Sequence, residues 1–321
     1  MGSKRKVLAL CGGVGGAKLA LGLSRVLGDD ELCIVVNTGD DFTHLGLRIC
    51  PDLDTVTYTL AGCVDTNTGW GRAGETGEFM ASLSTLGGED WFYLGDKDLA
   101  MHVERTRRLA AGEKLGSVTQ ALSRKLGVSV PLIPMSDDTL ATQVEVEGSG
   151  KSITLSFQDY FVRQRCEPKL KAIHFVGSEK ARAHPQFLAN LQDPDLDLIV
   201  ICPSNPFLSI DPILALPGIR GILQKTEVPV VAISPIIGGA AVKGPTAKIM
   251  AELGLKMHAM TVADYYQDIV SGFILDRRDG AEAEAIREII PRVGVAQTLM
   301  QTLNDKIELA RETLDFAGLD V

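Results

Sequence analysis

Four glycines in five positions, Gly12-Gly13-Val14-Gly15-Gly16, constrain this chain more than any other stretch. An apolar run through Leu8-Ala9-Leu10-Cys11 stops at them, and an amphipathic pattern from Lys18 to Leu27 starts directly behind. The order reads as strand, tight turn and helix. Without a Cβ, glycine lets backbone N–H groups approach a ligand closely, and the N-terminus of the following helix favours an anion. A phosphate cradle and a purely structural strand–helix turn both fit this pattern. Neither standard glycine code does. Gly13-Val14-Gly15 opens like a dinucleotide fingerprint, but Lys18 occupies the place of its last glycine. A phosphate-loop NTPase would carry Gly-Lys-Ser or Gly-Lys-Thr in place of Ala17-Lys18-Leu19.

Leu32-Cys33-Ile34-Val35-Val36 is a second apolar, β-branched run, ending in Asn37-Thr38-Gly39-Asp40-Asp41. Continuous apolar character without alternation predicts strands buried on both faces, as in a parallel sheet. Two such strands around one helix make a right-handed βαβ unit, whose ligands sit beyond the carboxyl ends of the strands. The glycine turn and the 37–41 loop therefore face one another across a crevice. Helical spacing over 55–60, 75–86, 99–110 and 117–126 predicts a helical insertion, spanning 52–130, that caps the crevice. Short strands follow at 132–134, 142–146 and 152–157, the last two joined by the hairpin signal Glu147-Gly148-Ser149-Gly150-Lys151. An α/β rhythm then resumes, with apolar runs at 172–176, 198–202, 228–233 and 272–275 and a closing helix over 298–317. The 321 residues carry no repeat or linker, so the economical architecture is one α/β domain over 1–321. It is a doubly wound, mostly parallel Rossmann-like sheet with an inserted helical lobe.

Composition removes several function classes. A net charge of −9 argues against a nucleic-acid surface, which needs a basic face. No apolar run approaches the ~20 residues of a membrane helix. The basic Lys4-Arg5-Lys6 leads into a strand too short for a signal sequence, so a cytoplasmic protein is expected. Six cysteines without a C-x-x-C pair read as buried free thiols. The five histidines lack zinc spacing, and His44 and His102 read as structural. Ser-His-Asp catalysis lacks its glycine-flanked nucleophile turn. What remains is transfer chemistry on a nucleotide or diphosphate, in which the protein positions groups and offsets charge.

Several loops suit that chemistry. Asp40 and Asp41 are followed by Pro51-Asp52-Leu53-Asp54-Thr55, and hard divalent cations take carboxylate oxygens together with phosphate and water. Asp52 reads as a helix start that favours the dipole, whereas Asp54 reads as functional. Gly95-Asp96-Lys97-Asp98 fits either a solvated surface or a site that places Lys97 over the crevice. Ser204, Asn205 and Ser209, in a loop fixed by Pro203 and Pro206, offer hydrogen bonds to an anion. Ser234-Pro235-Ile236-Ile237-Gly238 repeats that logic ahead of Lys243-Gly244-Pro245.

Together these loops resemble the 2-phospho-L-lactate transferase (CofD-type) family of coenzyme F-420 biosynthesis. The match runs in order through Gly12–Lys18, Asn37–Asp41, Pro51–Thr55, Leu94–Asp98, Pro134–Asp138, Ser204–Pro206, Ser209–Ile213, Ser234–Gly238 and Ala263–Tyr266. The resemblance implies transfer of a phosphorylated three-carbon acid from its GMP-linked diphosphate to the ribityl hydroxyl of the deazaflavin Fo. The acid would be 2-phospho-L-lactate, phosphoenolpyruvate or 3-phosphoglycerate, and the products F-420-0 or an analogue plus GMP. Mg2+ and a homodimer are implied as well. Carried onto this sequence, Gly12, Gly13, Gly15, Gly16 and Lys18 would hold the donor phosphates. Ser204, Asn205, Ser209, Ser234 and Gly238 would support the nucleotide. Asp54 matches the family's acceptor- and metal-site aspartate, with Asp40 or Asp41 sharing the metal and Asp41 assisting catalysis. Lys97 stands where the family usually has an arginine contacting the deazaflavin, and lysine lacks the planar fork. The alternative is a CofD-like, nucleotide-sugar-binding regulatory protein without the transfer reaction.

Overall fold

The computed structural model describes residues 4–148, 151–241 and 246–319. Seven strands form one parallel sheet: β1 (Val7–Cys11), β2 (Leu32–Val36), β3 (Leu132–Pro134), β4 (Leu198–Ile201), β5 (Val230–Ile233), β6 (Gly272–Asp276) and β7 (Arg292–Ala296). Their spatial order is β7-β6-β5-β4-β1-β2-β3, every neighbouring pair parallel. Chain order reverses between β1 and β4, the switch point where doubly wound sheets bind ligands.

The uninterrupted apolar runs have a direct cause. Leu8 and Leu10 pack into one core and Val7, Ala9 and Cys11 into another, so the sheet is buried on both faces. Over the second core lie α1 (Gly13–Val26), α2 (Pro51–Leu60) and the C-terminal helix Leu303–Ala317. Gly22 admits that last helix closely, since a Cβ there would lie 2.0 Å from the Lys306 carbonyl oxygen.

Three further helices lie between β2 and β3: α3 (Glu78–Thr85), α4 (Asp96–Ala110) and α5 (Leu115–Lys125). Pro51 opens α2 four residues before the expected start, because its fixed φ suits the first helical position. α2 packs along α1 as part of the regular helical layer. Two features went unread in the sequence, the hairpin Phe42–His44/Leu47–Ile49 and the edge strand β7. Both are short and mix polar with apolar residues. The run expected at 172–176 extends over Leu170–Val176 but stays outside the main sheet. It pairs antiparallel with Ala141–Glu147, which also pairs with Ser152–Ser156. Ser149 and Gly150 of the expected hairpin turn, and Lys243, Gly244 and Pro245, lie outside the described residues. Among the described residues no single helix is long and apolar enough to cross a membrane.

Candidate functional site

A crevice of about 560 Å³ opens at the carboxyl ends of β1, β2, β4, β5 and β7. Its sheet-side wall is the glycine turn. Gly13 has a φ of +64°, which an L side chain rarely adopts. A Cβ on Gly15 would lie 2.2 Å from the Pro203 carbonyl oxygen, so bare backbone is what lets the turn meet the β4 loop. A helix start leaves four N–H groups without intrahelical partners. Two are taken within the protein: Gly12 N–H donates to Ser204 Oγ at 3.1 Å and Gly13 N–H to Asp52 Oδ1 at 2.8 Å. The other two, on Val14 and Gly15, belong to residues that border the crevice.

Asp52 is thus more than a helix start. Its other oxygen accepts from Asn37 Nδ2 at 2.9 Å, so the first turn of α2 fixes the glycine turn to the β2 loop. Burial raises its carboxyl above the usual range. Burial also pushes Asp40 well upward, with Asp52 and Asp41 adding repulsion.

Two residues beyond Asp52, Asp54 enters a buried cluster with α4. Asp98, His102 and Arg105 stand at i, i+4 and i+7 on that helix and share a face. Arg105 NH1 donates to Asp54 Oδ2 at 3.0 Å and its NH2 to Asp54 Oδ1, with Asp54 5% and Arg105 3% exposed. Arg105 NH1 also lies 3.4 Å from His102 Nδ1. The ring sits between the two carboxylates, with Nδ1 3.6 Å from Asp54 Oδ2 and Nε2 3.4 Å from Asp98 Oδ2. The hydroxyl of Tyr58, one turn after Asp54, donates to the other Asp98 oxygen. Burial pulls the Asp98 carboxyl upward, but His102 and Tyr58 hold it below the usual range.

Asp54, Asp98 and His102 present ligand atoms within 4.8 Å of one another. His102 is 1% exposed, and its Nε2 makes no hydrogen bond of good geometry. Two buried carboxylates suit a hard divalent cation, because each Asp54 oxygen accepting from Arg105 keeps a second lone pair. Asp40 and Asp41 are not in this group. Asp41 is held by Arg48 NH2 at 3.2 Å, and burial pushes its carboxyl up to about 7.

Of the residues expected at the site, Gly12, Gly13, Gly15, Lys18, Asp40, Asp54, Ser204, Asn205, Ser209 and Ser234 line the crevice. Four others do not. Gly16 is packed inward, where a Cβ would meet Ser204 Oγ at 2.4 Å. Asp41 sits behind the lining with Arg48. Gly238 is exposed, and its N–H donates to Asp279 Oδ2 at 2.7 Å. Lys97 donates through Nζ to the carbonyls of Gly74 at 2.6 Å and Ala73 at 3.1 Å, so its charge staples the insertion instead of facing the crevice.

The remaining wall is aromatic and went unread in the sequence. Aromatic residues make up 5% of the chain, yet both tryptophans, Trp70 and Trp91, line the crevice. Among the described residues, the exposed aromatic side chains are Trp70 (53%), Tyr93 (51%) and Phe161 (36%), and all three line it too. Trp91 is braced by Arg163, whose guanidinium carbon sits 4.9 Å from the ring centroid. Phe161 stacks on Phe157 at 5.4 Å. These side chains come from separate stretches of chain, which hid the grouping.

Comparison with known proteins places these features in a family. The family model described as 2-phospho-L-lactate transferase CofD matches residues 7–296. A protein named phosphoenolpyruvate transferase from Streptomyces griseus is 40% identical over 314 residues, covering 97% of this chain and 98% of its own. One of the same name from Mycobacterium tuberculosis is 39% identical over 335 residues, covering 98% and 99%. The fold is shared with a solved UPF0052-family protein from Bacillus halodurans, with a TM-score of 0.60 at 14% identity, over 97% of this chain and 99% of that one.

Proposed function

The chain belongs to the 2-phospho-L-lactate transferase (CofD) family, phosphotransferase-type enzymes of coenzyme F-420 biosynthesis, and on that premise we propose that it moves a phosphoenolpyruvyl group from a GMP-linked diphosphate to the ribityl hydroxyl of Fo. The names of its relatives at 35–40% identity favour phosphoenolpyruvate among the three-carbon acids. One observation carries the reading: a single crevice joins the glycine turn at the start of α1 to an aromatic wall, with Asp54 and Asp98 in the same lining.

The N–H groups of Val14 and Gly15, at the positive end of α1, receive the donor's phosphates. Ser204, Asn205, Ser209 and Ser234 line the same side and support the nucleotide. Asn205 is itself fixed, its Oδ1 accepting from Phe207 and Leu208 N–H at 3.0 and 3.1 Å. The planar ring of the acceptor lies against Trp70, Tyr93 and Phe161 beneath the inserted lobe. The acceptor hydroxyl attacks the phosphorus bearing the acid, a new P–O bond forms, the diphosphate P–O bond breaks and GMP leaves. The hydroxyl proton passes to a carboxylate of the cluster, with Asp54 the first candidate. Asp54 and Asp98 would hold a divalent cation, Mg2+ by the chemistry of the donor set, which when bound offsets phosphate charge. The family resemblance also supports a cytoplasmic homodimer.

Titrating Fo fluorescence against the protein tests the acceptor site. Fo binds at micromolar concentration, and Phe161→Ala weakens it three- to tenfold, equivalent to about 0.5–1.5 kcal/mol for one aromatic pair. Lys97→Met leaves it within twofold. No binding by the unmodified protein would sink the reading.

A further inference from the structure

Arg105 decides how much charge the acidic part of the crevice offers an incoming cation. Its guanidinium takes both oxygens of Asp54, and NH1 also reaches the Arg48 carbonyl oxygen at 3.2 Å. The group is planar, permanently charged and buried, so it is a fixed cation. Asp54, Asp98 and Arg105 together sum to one negative charge before His102 is counted. Arg48, half-buried, holds Asp41 through one contact at 3.2 Å. A bare divalent cation entering beside Asp54 and Asp98 therefore meets little net attraction and a positive neighbour that does not leave. A diphosphate changes that balance, because it brings further negative charge into the same lining. The first turn of α2 links the two places: Asp52 holds the Gly13 N–H, and Asp54 holds Arg105.

We propose that Arg105 is a positioning residue that couples the two loading events, preventing Asp54 from capturing a divalent cation alone and making cation and donor diphosphate bind together. Coupling of this kind is reciprocal, so each ligand tightens the other by the same factor. The inference rests on the transfer reading above, in which the donor brings a diphosphate into the crevice.

Mn2+ retained by the protein, measured by electron paramagnetic resonance of the free ion, reads the coupling without turnover. It is titrated with and without saturating GDP, subtracting the binary Mn2+–GDP complex. In the unmodified protein GDP lowers the Mn2+ Kd at least tenfold. In Arg105→Met, Mn2+ alone binds at least tenfold tighter and the effect of GDP falls below threefold. Arg105→Lys keeps the charge and keeps the coupling. Equal Mn2+ affinity with and without GDP in the unmodified protein overturns the proposal, as does loss of coupling in Arg105→Lys. If Arg105→Met does not fold, those two measurements decide alone. GDP that fails to bind contradicts the transfer reading instead, so the two failures are distinguishable.

Discussion

Replacing Asp54 by asparagine should cost stability before it costs chemistry, and the pair with Arg105 gives the size. Both partners are buried, at 5% and 3% exposure, and the guanidinium donates to both carboxylate oxygens. Breaking a buried ion pair by removing one partner costs about 3–5 kcal/mol, because the other charge is left uncompensated. Asparagine keeps one carbonyl acceptor for Arg105, which points to the low end, about 3 kcal/mol. An unfolding entropy of about 2.1 cal/mol/K per residue gives about 0.7 kcal/mol/K for the 321 residues, so Tm should fall by about 4–5 °C. The double variant Asp54→Asn/Arg105→Met removes the stranded charge and should regain part of that loss, since the uncompensated buried charge is what makes removing one partner costly. Transfer should stay abolished in both. Thermal unfolding of the two singles and the double closes a mutant cycle. A single variant with unchanged Tm, or a double no more stable than Asp54→Asn, would mean that Arg105 is not stranded by the loss of Asp54.

Asp211 supplies a pH signature away from the crevice. Burial pushes its carboxyl up from 3.8 to about 6, with the Tyr265 hydroxyl donating to it. A raised carboxyl favours the folded state while protonated, so this contribution is full below pH 4 and lost as pH rises through 6, about 3 kcal/mol in all. Asp211→Asn should flatten that part of the Tm-against-pH curve, and identical curves would contradict it. Gly15→Ala places a methyl 2.2 Å from the Pro203 carbonyl oxygen. It should weaken GDP binding at least tenfold by calorimetry while leaving the Fo titration within twofold, and parallel losses of both would count against separate donor and acceptor walls.

Much of the fold was legible because the strands are buried on both faces, and that burial leaves continuous apolar runs at Val7–Cys11 and Leu32–Val36. The glycine turn announced the crevice for a related reason, since only glycine fits at Gly13 and Gly15. The place of Asp54 in the crevice was legible as well, but its partners were not. Asp98, His102 and Arg105 share one helix face at i, i+4 and i+7, a periodic signal available in the sequence. A lone histidine reads as structural, and nothing local marks Arg105, until α4 is laid against α2. Asp52 looked like a helix start because nothing local reveals the Gly13 N–H it accepts across 39 positions. Lys97 was open between a solvated surface and a crevice contact, the second implied by the arginine that the family usually has there. The carbonyls it binds, on Ala73 and Gly74, are more than 20 residues away.

Product identity tests the transfer reaction itself. Incubating the protein with Fo, Mg2+ and each guanylylated acid in turn, and weighing the products, reads donor, acceptor and reaction at once. Fo should gain an enolpyruvyl phosphate in a diester, with one GMP released per diester and the phosphoenolpyruvate donor used best. GMP released while Fo stays unchanged, or no product from any of the three donors, would contradict the transfer reading.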